Sequence, residues 1–487
     1  MINLKINKEV RQRNIERCRE KGIVYPTIAQ MMDPSTIPAK IKDKLKNTGL
    51  WDVDAANLFR ITWRNEPKEK GGLHGDVNYM EIPKELTGVK ARVFALVGKY
   101  FPTGSHKVGA TYGCLAPALV TGAFDSTKQK AVWPSTGNYC RGGAYNSVLL
   151  GCDSIAILPE EMSAERFNWL KKVAGEVIST PGCESNVKEI FDKCHELDEE
   201  RGDSIVIFNQ FDEFGNYLWH YNVTGKAIED LLTQEGVKAE QLKGYCSTTG
   251  SAGTIGAGDY LKQKYPEVKL VAGEALQCPT LLNNGFGGHR IEGIGDKHVP
   301  WVHNVRNTDM IIAIDDQDSM DVLRLFNEDA GKEYLKSKGV SSEIIEKLPL
   351  LGISGIANVQ SAIKMAKYYE MDEEDVIVTV LTDSEEMYTS RLKEMNDAQG
   401  KFTSENAVAV YAKSLMGIGI DNTLELSYYE RLRIHNLKYY TWVEQQNKTY
   451  EEINAQWYDK KYWTNIQDLT DKIDSLINDF NKDVGIL

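Results

Sequence analysis

With 487 residues the chain is too long for one compact core and long enough for two or three domains of roughly 100–200 residues each. A content of 42% hydrophobic and 26% charged residues marks ordinary globular material and excludes a disordered, fibrous or collagen-like chain. Its 57 Lys and Arg against 70 Asp and Glu leave a net charge of −13, which excludes a broad electrostatic grip on nucleic acid or anionic lipid and leaves room only for a local basic pocket.

The opening MINLKINKEVRQRN lacks the apolar stretch of a signal peptide, and no segment approaches the ~20 uninterrupted apolar residues of a membrane span. The expectation is a soluble, cytoplasmic protein. Residues 1–85 are mixed and charged, with a helical start and the turn-rich stretch Glu66 to Asn78, and read as an extension packed on the main body. Beyond them, short β-branched runs alternate with longer amphipathic ones, the rhythm of βαβ units and a largely parallel sheet. The predicted strands are Ala91–Val97, Lys130–Trp133, Ser154–Leu158, Ser204–Phe208, Gly244–Thr248, Val268–Ala272, Met310–Ile314 and Val376–Leu381. In such sheets ligands sit beyond the carboxyl ends of the strands, which directs attention to the loops that follow each run.

The first of these loops, Thr103-Gly104-Ser105-His106-Lys107, opens a helix running towards Pro117. A lysine on the first helical turn meets the positive end of the macrodipole, so its pKa should fall, and a lysine neutral near pH 7 suits Schiff-base chemistry. Alone, the loop is equally an exposed lysine beside a serine cap. The second, Ser135-Thr136-Gly137-Asn138-Tyr139, also precedes a helix; its small residues leave backbone N–H groups free for a carboxylate, though a plain capped turn would look the same. The third, Thr249-Gly250-Ser251-Ala252-Gly253-Thr254, has the small side chains that let a phosphate approach the backbone and two hydroxyls that donate to it. Its spacing, Gly250, Gly253, Gly256 and Gly258 before the strand that ends near Glu274, also imitates a dinucleotide unit, which keeps a nicotinamide-dependent oxidoreductase as a rival.

Eight scattered cysteines without a CxxC pair argue against a disulfide framework or a zinc knuckle, and His289, His298 and His303 lack the spacing of a metal site, so no metal is expected. After residue 400 the chain turns rich in Tyr, Trp, Asn and acidic residues, a composition that suits packing or an oligomer interface.

Taken in order, the lysine loop, the Ser-Thr-Gly-Asn loop and the glycine-rich loop resemble the fold type II pyridoxal phosphate enzymes, the tryptophan synthase β-like superfamily. Gln210-Phe211 with His220 and Thr224-Gly225, GEALQCPTLLNNGFGGHRIEGIGD (Gly273 to Asp296), GISGIANVQSAIKMA (Gly352 to Ala366) and VIVTVLTDSEEMY (Val376 to Tyr388) are similar to further segments of cysteine synthases and cystathionine β-synthase. The resemblance implies an α/β enzyme with two parallel-sheet domains: an N-terminal extension over 1–85, a large cofactor domain over 86–99 and 211–395, a small substrate-carboxylate domain over 100–210 and an aromatic-rich extension over 396–487. It implies a pyridoxal 5'-phosphate-dependent lyase or transferase, a homodimer acting on a small amino acid with no nucleic-acid or membrane partner.

Carried over residue by residue, Lys107 would hold the cofactor and move the α-proton, Asn138 would bond the ring hydroxyl, and His106 would add a phosphate contact. Gly250, Ser251, Ala252, Gly253 and Thr254 would cradle the phosphate, and Ser384 would meet the ring nitrogen. Ser135, Thr136, Gly137, Asn138, Tyr139 and Gln210 would hold the substrate. A serine at the ring nitrogen favours elimination over transamination, although an aspartate, Asp383, stands next to it. The expected reaction is β-elimination or β-replacement on a cysteine- or serine-like amino acid through an aminoacrylate; threonine-type deamination or synthesis on the same scaffold and a non-catalytic subunit are the alternatives.

Overall fold

A computed structural model describes residues 2–67, 71–135, 137–295 and 297–486. Each of the eight β-branched runs becomes a strand, and three further strands join them: β1 (Tyr79–Ile82), β2 (Arg92–Val97), β3 (Lys130–Pro134), β4 (Asp153–Pro159), β5 (Glu176–Thr180), β6 (Ile205–Ile207), β7 (Leu242–Thr248), β8 (Lys269–Ala275), β9 (Met310–Ile314), β10 (Val376–Leu381) and β11 (Thr423–Glu425). They form two sheets, one in the order β5-β4-β3-β6 and the other in the order β1-β2-β10-β7-β8-β9-β11. The four-stranded sheet is parallel throughout. The inner pairs of the larger sheet are also parallel, while β1 and β11 close its two edges antiparallel.

The three strands that the β-branched pattern did not reveal, β1, β5 and β11, all lie at sheet edges. β1 alternates half-buried with buried residues, and β5 and β11 are mostly half-buried or exposed, so they carry the weak alternation of an edge rather than the continuous apolar run of a strand covered on both faces. The central strands show the opposite pattern. Along β2, Phe94 and Leu96 enter one hydrophobic cluster while Val93, Ala95 and Val97 enter another, and along β10 Val376, Val378 and Val380 alternate likewise with Ile377 and Leu381. The period of two thus puts a core on each face of the large sheet.

The Lys107–Thr121 helix is buried along nearly its whole length. It crosses the Phe214–Trp219 helix so closely that a Cβ on Gly113 would strike the Gly215 carbonyl, and one on Gly215 the Gly113 carbonyl. Both terminal extensions reinforce this helix. The Thr470–Val484 helix turns Ile473, Ile477, Phe480 and Val484 inward at helical spacing and packs on it together with the Lys8–Lys21 helix. Arg11 pairs with Asp483 at 2.6 Å, and the Asp474 carboxylate accepts the N–H groups of Ile28 and Ala29 at 2.7 and 2.9 Å. Those two amides open a helical turn and lack an intrahelical partner, so the carboxylate from the far end of the chain satisfies them.

The aromatic C-terminal segment divides by burial. Trp442, Trp457 and Trp463 pack inward, whereas Tyr429, Tyr440 and Tyr458 face out. Beneath it the fully buried Lys438 donates to the carbonyls of Trp301 and His303 and to Gln456 Oε1 at 2.9, 2.8 and 2.7 Å, one acceptor for each ammonium hydrogen. Seven of the eight cysteines are buried and Cys183 is half-buried, and none is disulfide-bonded. Among the described residues no group of three His, Cys, Asp or Glu side chains has a metal-binding arrangement. No helix of the described residues is long and apolar enough to cross a membrane.

The histidines make the fold acid-sensitive. His298, His303 and His435 are buried, and burial, aided at the latter two by the Lys438 charge, lowers each from 6.5 to about 3. Each stays neutral in the native chain after the unfolded chain has bound its proton. The stability each supplies is therefore complete above 6.5 and lost as the pH falls towards about 3, with a slope of about 1.4 kcal/mol per pH unit for each group. The urea midpoint of unfolding should drop steadily between pH 6.5 and 4, and His303→Gln should reduce that slope; a flat midpoint would contradict the account.

Candidate active site

The chain leaves β2 through two tight turns in which Thr103 and Gly104 both take a φ of 69°. This left-handed pair, costly for a threonine, reverses the backbone so that the next helix begins at Lys107 itself. Lys107 is 7% exposed, so the exposed-lysine alternative does not hold, and its Nζ donates to Ser251 Oγ at 3.1 Å. The first and third loops, 144 residues apart in sequence, thus meet at one hydrogen bond.

The second loop leaves β3 and enters the Asn138–Leu149 helix. Ser135 Oγ accepts from the Gly137 N–H at 3.0 Å and from Gln210 Nε2 at 3.4 Å. Asn138 is clamped at both ends of its amide: Nδ2 donates to Asp383 Oδ2 at 2.6 Å and Oδ1 accepts from Arg141 at 3.3 Å. Gly137 has a φ of 157°, and a Cβ there would run into Arg166. The Tyr139 hydroxyl donates to Cys114 Sγ at 3.5 Å. Thr136 lies outside the described residues.

The glycine-rich loop joins β7 to the Gly256–Lys264 helix with Ala252 at a φ of 61°. Ser251 Oγ also accepts from Asn216 Nδ2 at 2.9 Å. Among the described residues no oxygen accepts from the backbone N–H groups of residues 250–254, although Ser251 and Ala252 are buried. Buried N–H groups are rarely left unpaired, and a run of them at a helix start is a cradle for an anion. Gly253 has a second duty that spacing alone did not show: a Cβ there would overlap Asn216 Oδ1.

After β10 the chain places Asp383 and Ser384 side by side, both fully buried. Asp383 Oδ2 accepts from Asn138 and from the Tyr388 hydroxyl at 2.8 Å, with Arg166 at 3.7 Å. Burial pushes its carboxyl above the ordinary value, opposed by Arg166, Asn138 and Tyr388. The Ser384 hydroxyl has no partner among the described residues. Arg166 further pairs with Glu292, which Arg391 holds from the other side at 2.6 Å.

Lys107, Ser135, Asn138, Tyr139, Gln210, Gly250 and Ser251 line one cavity. Gly137, Ala252, Gly253, Thr254 and Ser384 are not part of that lining. His106 is packed between the rings of Trp63 and His220, with centroids 5.5 and 4.9 Å away, and burial, then the Lys107 charge, lowers its pKa well below the usual histidine value. Glu274, the acid of the nicotinamide rival, accepts the N–H groups of Leu281 and Leu282 at 2.9 and 2.8 Å and so ties its own loop. The cavity wall also contains Glu184, Gly293 and Thr382, which the sequence did not reveal. Glu184 follows the unrecognised edge strand β5; had that strand been seen, the loop at its carboxyl end would have been inspected.

A buried lysine at a helix start, an empty-handed N–H cradle bonded to it through Ser251, and the orphaned Ser384 hydroxyl together suit pyridoxal phosphate: an amine for its carbonyl, donors for its phosphate and a neutral partner for its ring nitrogen. The sequence model of the family described as pyridoxal-phosphate dependent enzyme matches residues 75–383, and the chain belongs to that family. Cysteine synthase of Staphylococcus aureus is 31% identical over 260 residues, 53% of this chain and 75% of that protein. Cystathionine beta-synthase of Saccharomyces cerevisiae is 26% identical over 320 residues, 64% of this chain and 59% of that protein. The crystal structure of O-acetyl serine sulfhydrylase isoform 3 from Entamoeba histolytica shares the fold with a TM-score of 0.57 at 22% identity, covering 70% of this chain and 94% of that one. The protein is a pyridoxal 5'-phosphate-dependent enzyme of the tryptophan synthase β-like fold, which removes both the nicotinamide and the non-catalytic alternatives.

Proposed function

We propose that the enzyme carries out β-elimination or β-replacement on a cysteine- or serine-like amino acid. The observation that carries this reading is the division of labour after β10, where Asp383 Oδ2 is engaged by Asn138, Tyr388 and Arg166 while the neighbouring Ser384 hydroxyl, like Asp383 Oδ1, has no partner among the described residues. When bound, pyridoxal phosphate supplies an electron-withdrawing ring that acidifies the substrate α-C–H, and a neutral ring partner tempers that withdrawal in favour of β-chemistry.

In this reading Lys107 Nζ holds the cofactor and, once released, moves the α-proton. Its place on the first helical turn, at the positive end of the helix dipole, favours the neutral amine that both tasks need. The N–H groups of residues 250–254 hold the phosphate, and Asn138, fixed by Asp383 and Arg141, meets the ring hydroxyl. Ser135, Gly137, Tyr139 and Gln210 receive the α-carboxylate at the start of the Asn138–Leu149 helix, where the positive dipole end adds to the N–H donors; Tyr139 contributes its ring wall and backbone, since its hydroxyl is directed to Cys114. The relatives named above give the substrate class its support. The enzyme works in the cytoplasm as a homodimer, with the exposed tyrosines of the C-terminal segment available to the partner copy.

The test is to incubate the holoenzyme with L-cysteine, L-serine, O-acetyl-L-serine and L-threonine, with and without sulfide, and to measure pyruvate, 2-oxobutanoate and new amino acid. Product from a β-substituted substrate supports the reading; reaction with γ-substituted amino acids alone defeats it. Ser384→Asp should slow turnover by at least about tenfold while Ser384→Ala stays within a few-fold of the parent. If the alanine variant is the more damaged, the neutral-partner account is wrong.

A further inference from the structure

We propose that Glu184 is a specificity-determining residue, whose carboxylate favours amino acids with a β-substituent that donates a hydrogen bond, a free hydroxyl or thiol, over those with one that only accepts, such as an O-acyl ester. This rests on the β-chemistry proposed above and narrows its substrate class.

Glu184 is 1% exposed and lies in the cavity wall with Lys107, Ser135 and Gln210. It comes from the turn between β5 and the Val187–Arg201 helix, at the carboxyl end of a strand of the smaller sheet. The turn is held rigidly: Ser185 Oγ donates to the Gly287 carbonyl at 2.7 Å, and the Cys183 N–H donates to Asn186 Oδ1 at 3.1 Å. These bonds fix the backbone from which the Glu184 side chain enters the wall.

The other polar groups of the wall are donors or can act as donors: the Lys107 amine, the Ser135 hydroxyl, and the amides of Asn138 and Gln210. Glu184 is the acidic exception among them. The fully buried Arg166 guanidinium lies within electrostatic reach of it, and a carboxylate beside a guanidinium is an acceptor only. It repels the α-carboxylate of a substrate, which leaves that group to the donors around Ser135 and turns the rest of the molecule towards Glu184. A β-hydroxyl or β-thiol can then donate to it. An ester oxygen or carbonyl would set acceptor against acceptor in a buried place, the arrangement that sites built for one hydrogen-bonding partner reject most strongly.

The experiment compares kcat/KM for L-serine and L-cysteine with that for O-acetyl-L-serine in the parent and in Glu184→Gln, whose amide can donate. In parallel, calorimetry compares dissociation constants of L-serine and O-methyl-L-serine, which differ in the β-donor. The expected result is a shift of at least about tenfold towards the ester in the glutamine variant, with a matching loss of the preference for serine over its methyl ether. Ratios unchanged within twofold in both measurements overturn the proposal, as does failure of the parent to distinguish serine from its methyl ether. If the parent binds serine selectively but no β-elimination or β-replacement is found, the reaction assignment fails while the binding pair still decides the role of Glu184. Should the glutamine variant not fold, Glu184→Asp, which keeps the charge but withdraws it by one methylene, must weaken the same preference or the proposal falls.

Discussion

Lys107→Ala should leave an enzyme that binds pyridoxal phosphate weakly, is not linked to it by borohydride and turns over at least about 10³-fold more slowly than the parent. The size of the effect follows from the two tasks placed on one amine, since no other lysine lines the described cavity wall. The fold should barely notice the change. Nζ bonds a hydroxyl that Asn216 also serves, and alanine is a better helix former than lysine. Peptide mass mapping after reduction settles the matter: the parent should carry the added mass on the peptide with Lys107, the variant on none. A labelled peptide elsewhere in the variant would mean that another lysine forms the linkage, and the site would have to be rebuilt around it.

Gly253→Val should have the second-largest effect, and on two properties together. On the cofactor side, the loop whose N–H groups form the cradle must shift, and affinity for pyridoxal phosphate should fall by about two orders of magnitude or more. On the folding side, the added side chain collides with Asn216, which holds Ser251 Oγ at 2.9 Å and the Gln210 carbonyl at 3.0 Å. Overpacking of this kind costs about 1–3 kcal/mol, so the apo-protein should also melt lower. A milder cycle separates the two. Gly253→Ala should destabilise the apo-protein, and Asn216→Ala placed beside it should relieve the collision, giving a non-additive stability in the double variant. Strict additivity would show that the glycine does not owe its place to Asn216.

Much of the site was legible before any coordinates because its parts are local. A lysine directly after Gly104-Ser105-His106, a hydroxyl and glycine run after β3 and a glycine-rich run after β7 each declare a strand, a turn and a helix start within a dozen residues. Loop function at such places depends on backbone N–H groups that the local sequence frees. The seven inner strands were equally readable, since burial on two sides demands unbroken apolar runs, and the short edge strand β6 was readable from its Ile-Val-Ile run. What escaped was held by partners far away. Edge strands β1, β5 and β11 need only half a pattern, so Glu184 at the end of β5 went unnoticed.

By itself, then, the sequence determined what stands within reach of each turn: the lysine at the helix start, the runs of small residues at the other helix starts, and that Ser384 and Asp383 are neighbours. The tertiary structure alone decided the choices between neighbours and between distant segments. It engaged Asp383 Oδ2 with Asn138, Tyr388 and Arg166 and left the Ser384 hydroxyl without a partner among the described residues, set His106 between Trp63 and His220, and turned Glu274 back onto its own loop. It also brought Glu184 into the wall beside Lys107. The physical reason is that a turn is stabilised by hydrogen bonds across two to four residues, whereas the partner of a buried polar group is whatever the packing of other elements delivers to it, and here that packing joins Asn138 to Asp383 across 245 residues.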